Sequence, residues 1–236
     1  MEIRGRRRCK SCGQEWSYYD TGEVACPACG SMQSVGVGGR ARHTDSADPL
    51  DLSEHRNAAE AGSVADAAEA LKTDLRTYLR ARGFIDGGEL RDVDDTYLAA
   101  RELLHAVDVL ARRRDPDEET QLYVLSLLRG ADRGERPAPD EVPPAMTEAR
   151  GLAYAESLAA FRRDLSTWLD DHPDPEARTT LSTLGEHVKR VDALQGDVSV
   201  RQSESLVRAA RELTAYVRDD DESALAAARD RLSRLA

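Results

Sequence analysis

From about residue 63 to the end of the chain, apolar side chains recur every three or four positions. That is the period of helices with one buried face. The first helix is predicted over about 63–82, with Val64, Ala68, Leu71, Leu75, Tyr78 and Leu79 on its stripe. Ser63 with Asp66 suits its start and Gly83 its end. A second helix, about 95–114, turns Tyr97, Leu98, Leu104, Val107 and Leu110 inward. A third opens at Asp115-Pro116-Asp117-Glu118, an acidic cap with proline in the first turn, and carries Leu122, Leu125 and Leu128 to a stop at Gly130. Residues 131–144 hold four prolines and no apolar period, so a loop is expected. The fourth helix is long, about 145–171, lined by Leu152, Leu158, Phe161, Leu165, Trp168 and Leu169. Asp174-Pro175 starts a fifth, with Ala177, Leu181, Leu184, Val188 and Val191. Ser199 and Gln202 form a capping box for a sixth, with Leu206, Ala210, Leu213 and Val217. A seventh, about 222–235, buries Leu225, Leu232 and Leu235. Short connectors favour antiparallel packing, divided into a helical subdomain 63–130, the loop 131–144 and a bundle 145–236.

The first 62 residues lack this period. Residues Gln14–Ala25 read as strand, turn, strand: the aromatics favour strand and Asp20-Thr21-Gly22 supplies the turn. Ser34–Val37 suits a third strand. Alternation places Trp16 and Tyr18 on one face and Tyr19 on the other, where it is the better candidate for an exposed contact. Gly36-Val37-Gly38-Gly39-Arg40 lacks the Gly-Lys-Ser/Thr ending of a phosphate loop and reads as a flexible exit. Residues 41–62 are expected to be a linker with a short helix near Ser53–Glu60.

All four cysteines lie in this head, as Cys9-Lys10-Ser11-Cys12-Gly13 and Cys26-Pro27-Ala28-Cys29-Gly30, spaced C-x2-C-x13-C-x2-C. Two intervening residues let each tight turn offer both thiolates to one ion, and zinc takes four such ligands tetrahedrally. Gly13 and Gly30 follow each pair, where a left-handed backbone is needed. Residues 1–40 are therefore expected to form a β zinc ribbon holding one Zn²⁺ through Cys9, Cys12, Cys26 and Cys29. Four protein ligands leave no position for a catalytic water, so the ion is structural.

Charge separates the two parts. Residues 1–42 hold seven Lys/Arg against four Asp/Glu; the remainder holds 26 against 40, within a total of −11. The bases are 30 Arg and three Lys, and alanine, at 34, replaces larger apolar residues. Acid excess with lysine depletion suits molar salt, where screening removes self-repulsion. No run approaches a membrane-spanning length, and MEIRGRRRCK has no apolar segment of a secretory signal, so a cytoplasmic protein is expected.

The two Cys-x-x-Cys-Gly knuckles and the aromatic hairpin resemble the zinc ribbon of transcription factor IIB-type proteins over about the first 40 residues. Arg4-Gly5-Arg6-Arg7-Arg8-Cys9, the run from Glu15 to Glu23, Arg82-Gly83-Phe84-Ile85 and the run from Leu128 to Pro137 make nearly the whole chain similar to a family of uncharacterised haloarchaeal proteins with such a ribbon. That resemblance implies zinc binding and little more. The body shows no cyclin-like repeat.

Few other residues suggest chemistry. Asp92, Asp94 and Asp95, like Asp219-Asp220-Asp221-Glu222, stand where helix starts favour acids. His105 reads as a packed histidine, and His172 and His187 have no ligand pattern. There is no His-Glu-x-x-His or Gly-x-Ser-x-Gly motif. Arg129, Arg133 and Arg136 read as a charged helix end. The function read from this pattern is a non-enzymatic zinc protein whose ribbon docks on a protein or nucleoprotein partner. One alternative is nucleic-acid binding through Arg6, Arg7, Arg8, Lys10 and Tyr19; another is an enzyme or ligand site formed only in three dimensions.

Overall fold

A computed structural model describes residues 1–62, 64, 68–113 and 115–235. The head is a three-stranded antiparallel sheet with β2 (Arg6–Cys9) at its centre, once β1 (Glu2–Ile3) has preceded it. β3 (Glu15–Ser17) lies on one side of β2 and β4 (Ser34–Gly36) on the other, so Arg7 faces both Trp16 and Gly36. The expected second strand of the aromatic hairpin does not form. The Ser17 hydroxyl accepts from the Asp20 N–H at 3.3 Å, Thr21 Oγ1 donates to the Ser17 carbonyl at 3.0 Å, and the chain turns into α1 (Tyr18–Thr21). Local side-chain bonds of this kind compete with a ladder. Arg6, Arg7 and Arg8 thus lie in the central strand of the head.

The body is helical, as its period predicts. Its elements are α2 (Ser53–Ala61), α3 (Ala68–Ala81), the hairpin β6 (Ile85–Asp86) and β7 (Glu89–Leu90), α4 (Asp95–Arg112), α5 (Glu118–Gly130), α6 (Thr147–Asp171), α7 (Pro175–Ala193), α8 (Val200–Asp219) and α9 (Glu222–Ser233). The central α6 packs on α4, α7 and α8. The proposed cap at Ser63 and Asp66 lies outside the described residues. The Ser199–Gln202 capping box is present, and Asp174 accepts from the N–H groups of Glu176 and Ala177 with Pro175 at the first position. For α5 the cap is Asp117, which accepts from Thr120 N–H at 2.7 Å, so Pro116 stands outside the helix.

Three expectations change. Leu122 is 56% exposed, because α5 turns Tyr123, Val124, Leu127 and Leu128 inward, a face rotated by about one residue from the Leu122, Leu125, Leu128 stripe. Residues 131–144 are pinned by short 3-10 turns at Ala131–Arg133, Pro139–Glu141 and Pro144–Met146. Residues 63–130 and 145–235 share one apolar cluster running from Leu50 to Leu232, since α4 packs directly on α6.

The segment read as a linker is bound down. Its β5 (Ala41–Arg42) pairs antiparallel with β1. The Met1 ammonium donates to the His43 carbonyl at 3.1 Å, and His43 N–H donates to the Met1 carbonyl at 2.8 Å. On its other side Thr44 N–H donates to Ile85 O and Gly88 N–H to Arg42 O, both at 2.8 Å. Thr44 Oγ1 donates to Asp164 at 2.6 Å and Arg42 pairs with Asp171 at 3.0 Å, so the head is tied through β5 to α6.

Candidate functional site

Each cysteine pair sits on a tight turn. After Cys9 the chain doubles back so that Gly13 N–H donates to the Cys9 carbonyl at 3.1 Å; Gly30 N–H does the same to Cys26 at 2.8 Å. Both glycines have left-handed backbone, φ 77° and 68°, which a side chain would strain. Ser11 N–H points at the Cys9 sulfur from 3.3 Å. The two knuckles face each other, with the Ser11 and Ser31 hydroxyls 3.0 Å apart.

All four sulfurs lie within 4.8 Å of one another. Cys9 and Cys29 Sγ are 3.7 Å apart and Cys12 and Cys26 Sγ 3.6 Å. A tetrahedron of sulfurs about 2.3 Å from a zinc ion has edges of about 3.8 Å. Disulfide bonding requires about 2.05 Å, so these are free thiols in the geometry of a tetrathiolate site. Cys9 and Cys26 are buried beside Trp16, while Cys12 and Cys29 face outward. Trp16 is fixed by its indole N–H, which donates to the Glu23 carbonyl at 3.0 Å.

The electrostatics call for a cation. Backbone N–H groups of Cys12 and Ser11 bring the Cys9 thiol down to about 6, against smaller opposition from desolvation. At Cys29 the Ser31 N–H lowers the value, but the sulfurs of Cys12, Cys9 and Cys26 together with desolvation raise it to about 12. A divalent cation among these sulfurs would favour the thiolate form of Cys29, which its neighbours oppose. Among the described residues this is the one cluster of three or more His, Cys, Asp or Glu groups placed to converge on an ion.

The other candidate contacts are less free than their sequence suggests. Arg6 and Arg8 both pair with Glu15 on one face of the sheet, at 3.0 and 2.6 Å. Arg7 donates through Nε and Nη2 to the Ser34 hydroxyl at 3.0 and 2.8 Å. Lys10 remains exposed. Tyr19, expected on an open face, is half-buried. Its hydroxyl accepts from Gly5 N–H and donates to the Ile3 carbonyl, both at 3.1 Å, and its ring lies 4.8 Å from that of His43. A side chain at Gly5 would overlap the Tyr19 ring, so Tyr19 anchors the head rather than presenting a contact. Asp94 caps α4 through Tyr97 N–H at 2.6 Å, and Asp95 pairs with Arg136 at 2.9 Å and Arg211 at 2.8 Å.

Over residues 1–232 the chain matches the model of a family of unknown function, DUF7117. The chain belongs to this family. No curated protein and no solved structure matches it at a significant level. In this member of DUF7117 no described helix is long and apolar enough to cross a membrane.

One polar group escaped the sequence reading. Glu102 on α4 and Arg150 on α6 are both fully buried and joined at 2.7 Å. The Tyr123 hydroxyl donates to Glu102, and Arg150 also donates to the Pro137 carbonyl at 2.7 Å. Glu204 faces Arg150 at 3.4 Å, Arg136 at 3.5 Å and the Tyr154 hydroxyl at 3.2 Å. No local motif marks these residues: Glu102, Arg150 and Glu204 sit 48 or more positions apart, and Tyr123 lies 21 positions from Glu102.

Proposed function

We propose that this protein binds one structural Zn²⁺ through Cys9, Cys12, Cys26 and Cys29, and that the zinc ribbon is a docking module for a protein or nucleoprotein partner. The sulfur separations of 3.6 and 3.7 Å carry the metal part of this reading. The thiolate donors suit zinc, and four of them close the coordination shell against a catalytic water. The docking part is supported by where apolar side chains reach solvent. Among the described residues the exposed large ones are Met1, Val24, Met32 and Val35 in the head, and only Leu122 and Leu194 in the body. A likeness to transcription factor IIB-type ribbons suggests a partner in the transcription apparatus, and the acidic, lysine-poor composition suggests a cytoplasm rich in salt.

Metal analysis of freshly purified, reduced protein should give one zinc per chain, lost in Cys26→Ser. Zinc-free protein would overturn the metal reading. Tagged protein recovered from its own cells, at intracellular salt, should retain a specific partner after nuclease treatment. That partner should be lost in Met32→Asp/Val35→Asp, which leaves the zinc in place. Partners lost on nuclease treatment, with enriched DNA or RNA, would make nucleic-acid binding the primary activity.

A further inference from the structure

Away from the ribbon, a cleft of about 380 Å³ opens where the end of α3, residue 44, α4 and α6 meet. Four arginines from three helical segments line it: Arg80 and Arg82 at the end of α3, Arg101 on α4 and Arg163 on α6. Its floor includes Phe84 and Tyr97, whose rings meet edge to face at 5.1 Å. The single acid lining it is Asp164, already accepting from Thr44 Oγ1 at 2.6 Å and Phe84 N–H at 2.7 Å.

The inner two arginines are fixed. Arg82 pairs with Asp45 at 2.9 Å and Asp94 at 3.0 Å, two acids that line the neighbouring cleft rather than this one. Arg101 donates to the Tyr97 hydroxyl at 2.9 Å and reaches Glu156 at 3.3 Å. The outer two, Arg80 and Arg163, are exposed and form no ion pair among the described residues. Shortage of carboxylates does not explain this, because residues 43–236 hold 40 acids against 26 bases. In so acidic a body, two unpaired guanidinium groups on one cleft make a local site for an anion. The volume lies within the range of small-molecule sites, and aromatic residues with a few convergent polar groups are their usual lining.

We propose that this cleft binds a small phosphorylated anion, its phosphate oxygens held by Arg80 and Arg163 and its organic part against Phe84 and Tyr97. Guanidinium forks match phosphate oxygens two at a time, and donors approaching from separate helices suit a tetrahedral group better than a flat carboxylate. At high ionic strength only such direct contacts survive screening.

Isothermal titration of the full, zinc-loaded chain at fixed KCl tests this, with inorganic pyrophosphate and citrate as separate probes. Pyrophosphate should bind saturably, and at least tenfold more weakly to Arg80→Ala/Arg163→Ala, whose thermal midpoint without probe should match the parent. The control Arg190→Ala/Arg208→Ala removes the same charge elsewhere and should bind as the parent does. No saturable binding, equal binding by the cleft variant, or equal loss in the control would overturn the site. Citrate binding as tightly as pyrophosphate would overturn the assignment to phosphate.

Discussion

Glu102 and Arg150 occupy the middle of the helical core with no exposed surface. Their charges are tolerable there because Tyr123, the Pro137 carbonyl and Glu204 complete the bonds each ion needs. Burial first, and then the adjacent Glu102 carboxylate, hold the Tyr123 phenol well above its ordinary value, so it stays a donor. Removing one partner strands the other. Glu102→Met should cost about 3–5 kcal/mol in urea unfolding, and the paired change Glu102→Met/Arg150→Met should recover a large part of it. A second pair of changes tests the phase of α5. Leu127→Ala should cost about 2–5 kcal/mol, whereas Leu122→Ala should stay within about 0.5 kcal/mol, because Leu122 points to solvent. The apolar spacing alone pointed to Leu122, Leu125 and Leu128 as the buried stripe of α5. Tyr123 and Val124 won because α5 must face α4, a fact of packing rather than of local pattern.

Among the elements, β5 and His43 decide how the ribbon meets the body. Burial holds the His43 imidazole below its ordinary value of 6.5, outweighing the nearby Asp86 and Asp45. Burial, with Arg190 beside it, lowers His187 too. A lowered folded value means the unfolded chain takes up protons first. This stabilisation is therefore complete above about pH 6.5 and is lost as the pH falls through the folded values. The thermal midpoint should drop between about pH 7 and pH 5, and His43→Gln should make that drop shallower. A curve of unchanged slope would show that His43 does not contribute. The caps at Asp174 and Ser199 were legible in sequence because a cap bonds within three residues, whereas the start expected at Asp115-Pro116 moved to Asp117. The pairing of β5 with β1 was not, since its partners lie about 40 residues apart and neither strand exceeds two residues.

At the scale of the whole molecule, one apolar cluster runs through the two helical halves. Denaturant unfolding followed at α4 and at α8 should therefore give coincident transitions, and separate midpoints would mean separate folding units. With a net charge of −11, the thermal midpoint should also rise as KCl increases from about 0.1 to 2 M, through relief of self-repulsion. A midpoint flat in salt would remove the physical basis for reading the composition as salt adaptation.

The sequence by itself determined what short range controls. The helical period, the caps and the glycine-closed cysteine turns all act within a few residues, and they defined the helical body and the four-thiol head. Tertiary structure alone decided which arginines are paired, which tyrosine is an anchor, where Glu102 meets Arg150, and that the supposed linker binds the head to α6. Those outcomes depend on groups brought together from distant positions, and a bond between residues 48 or 120 apart leaves no periodic or local trace along the chain.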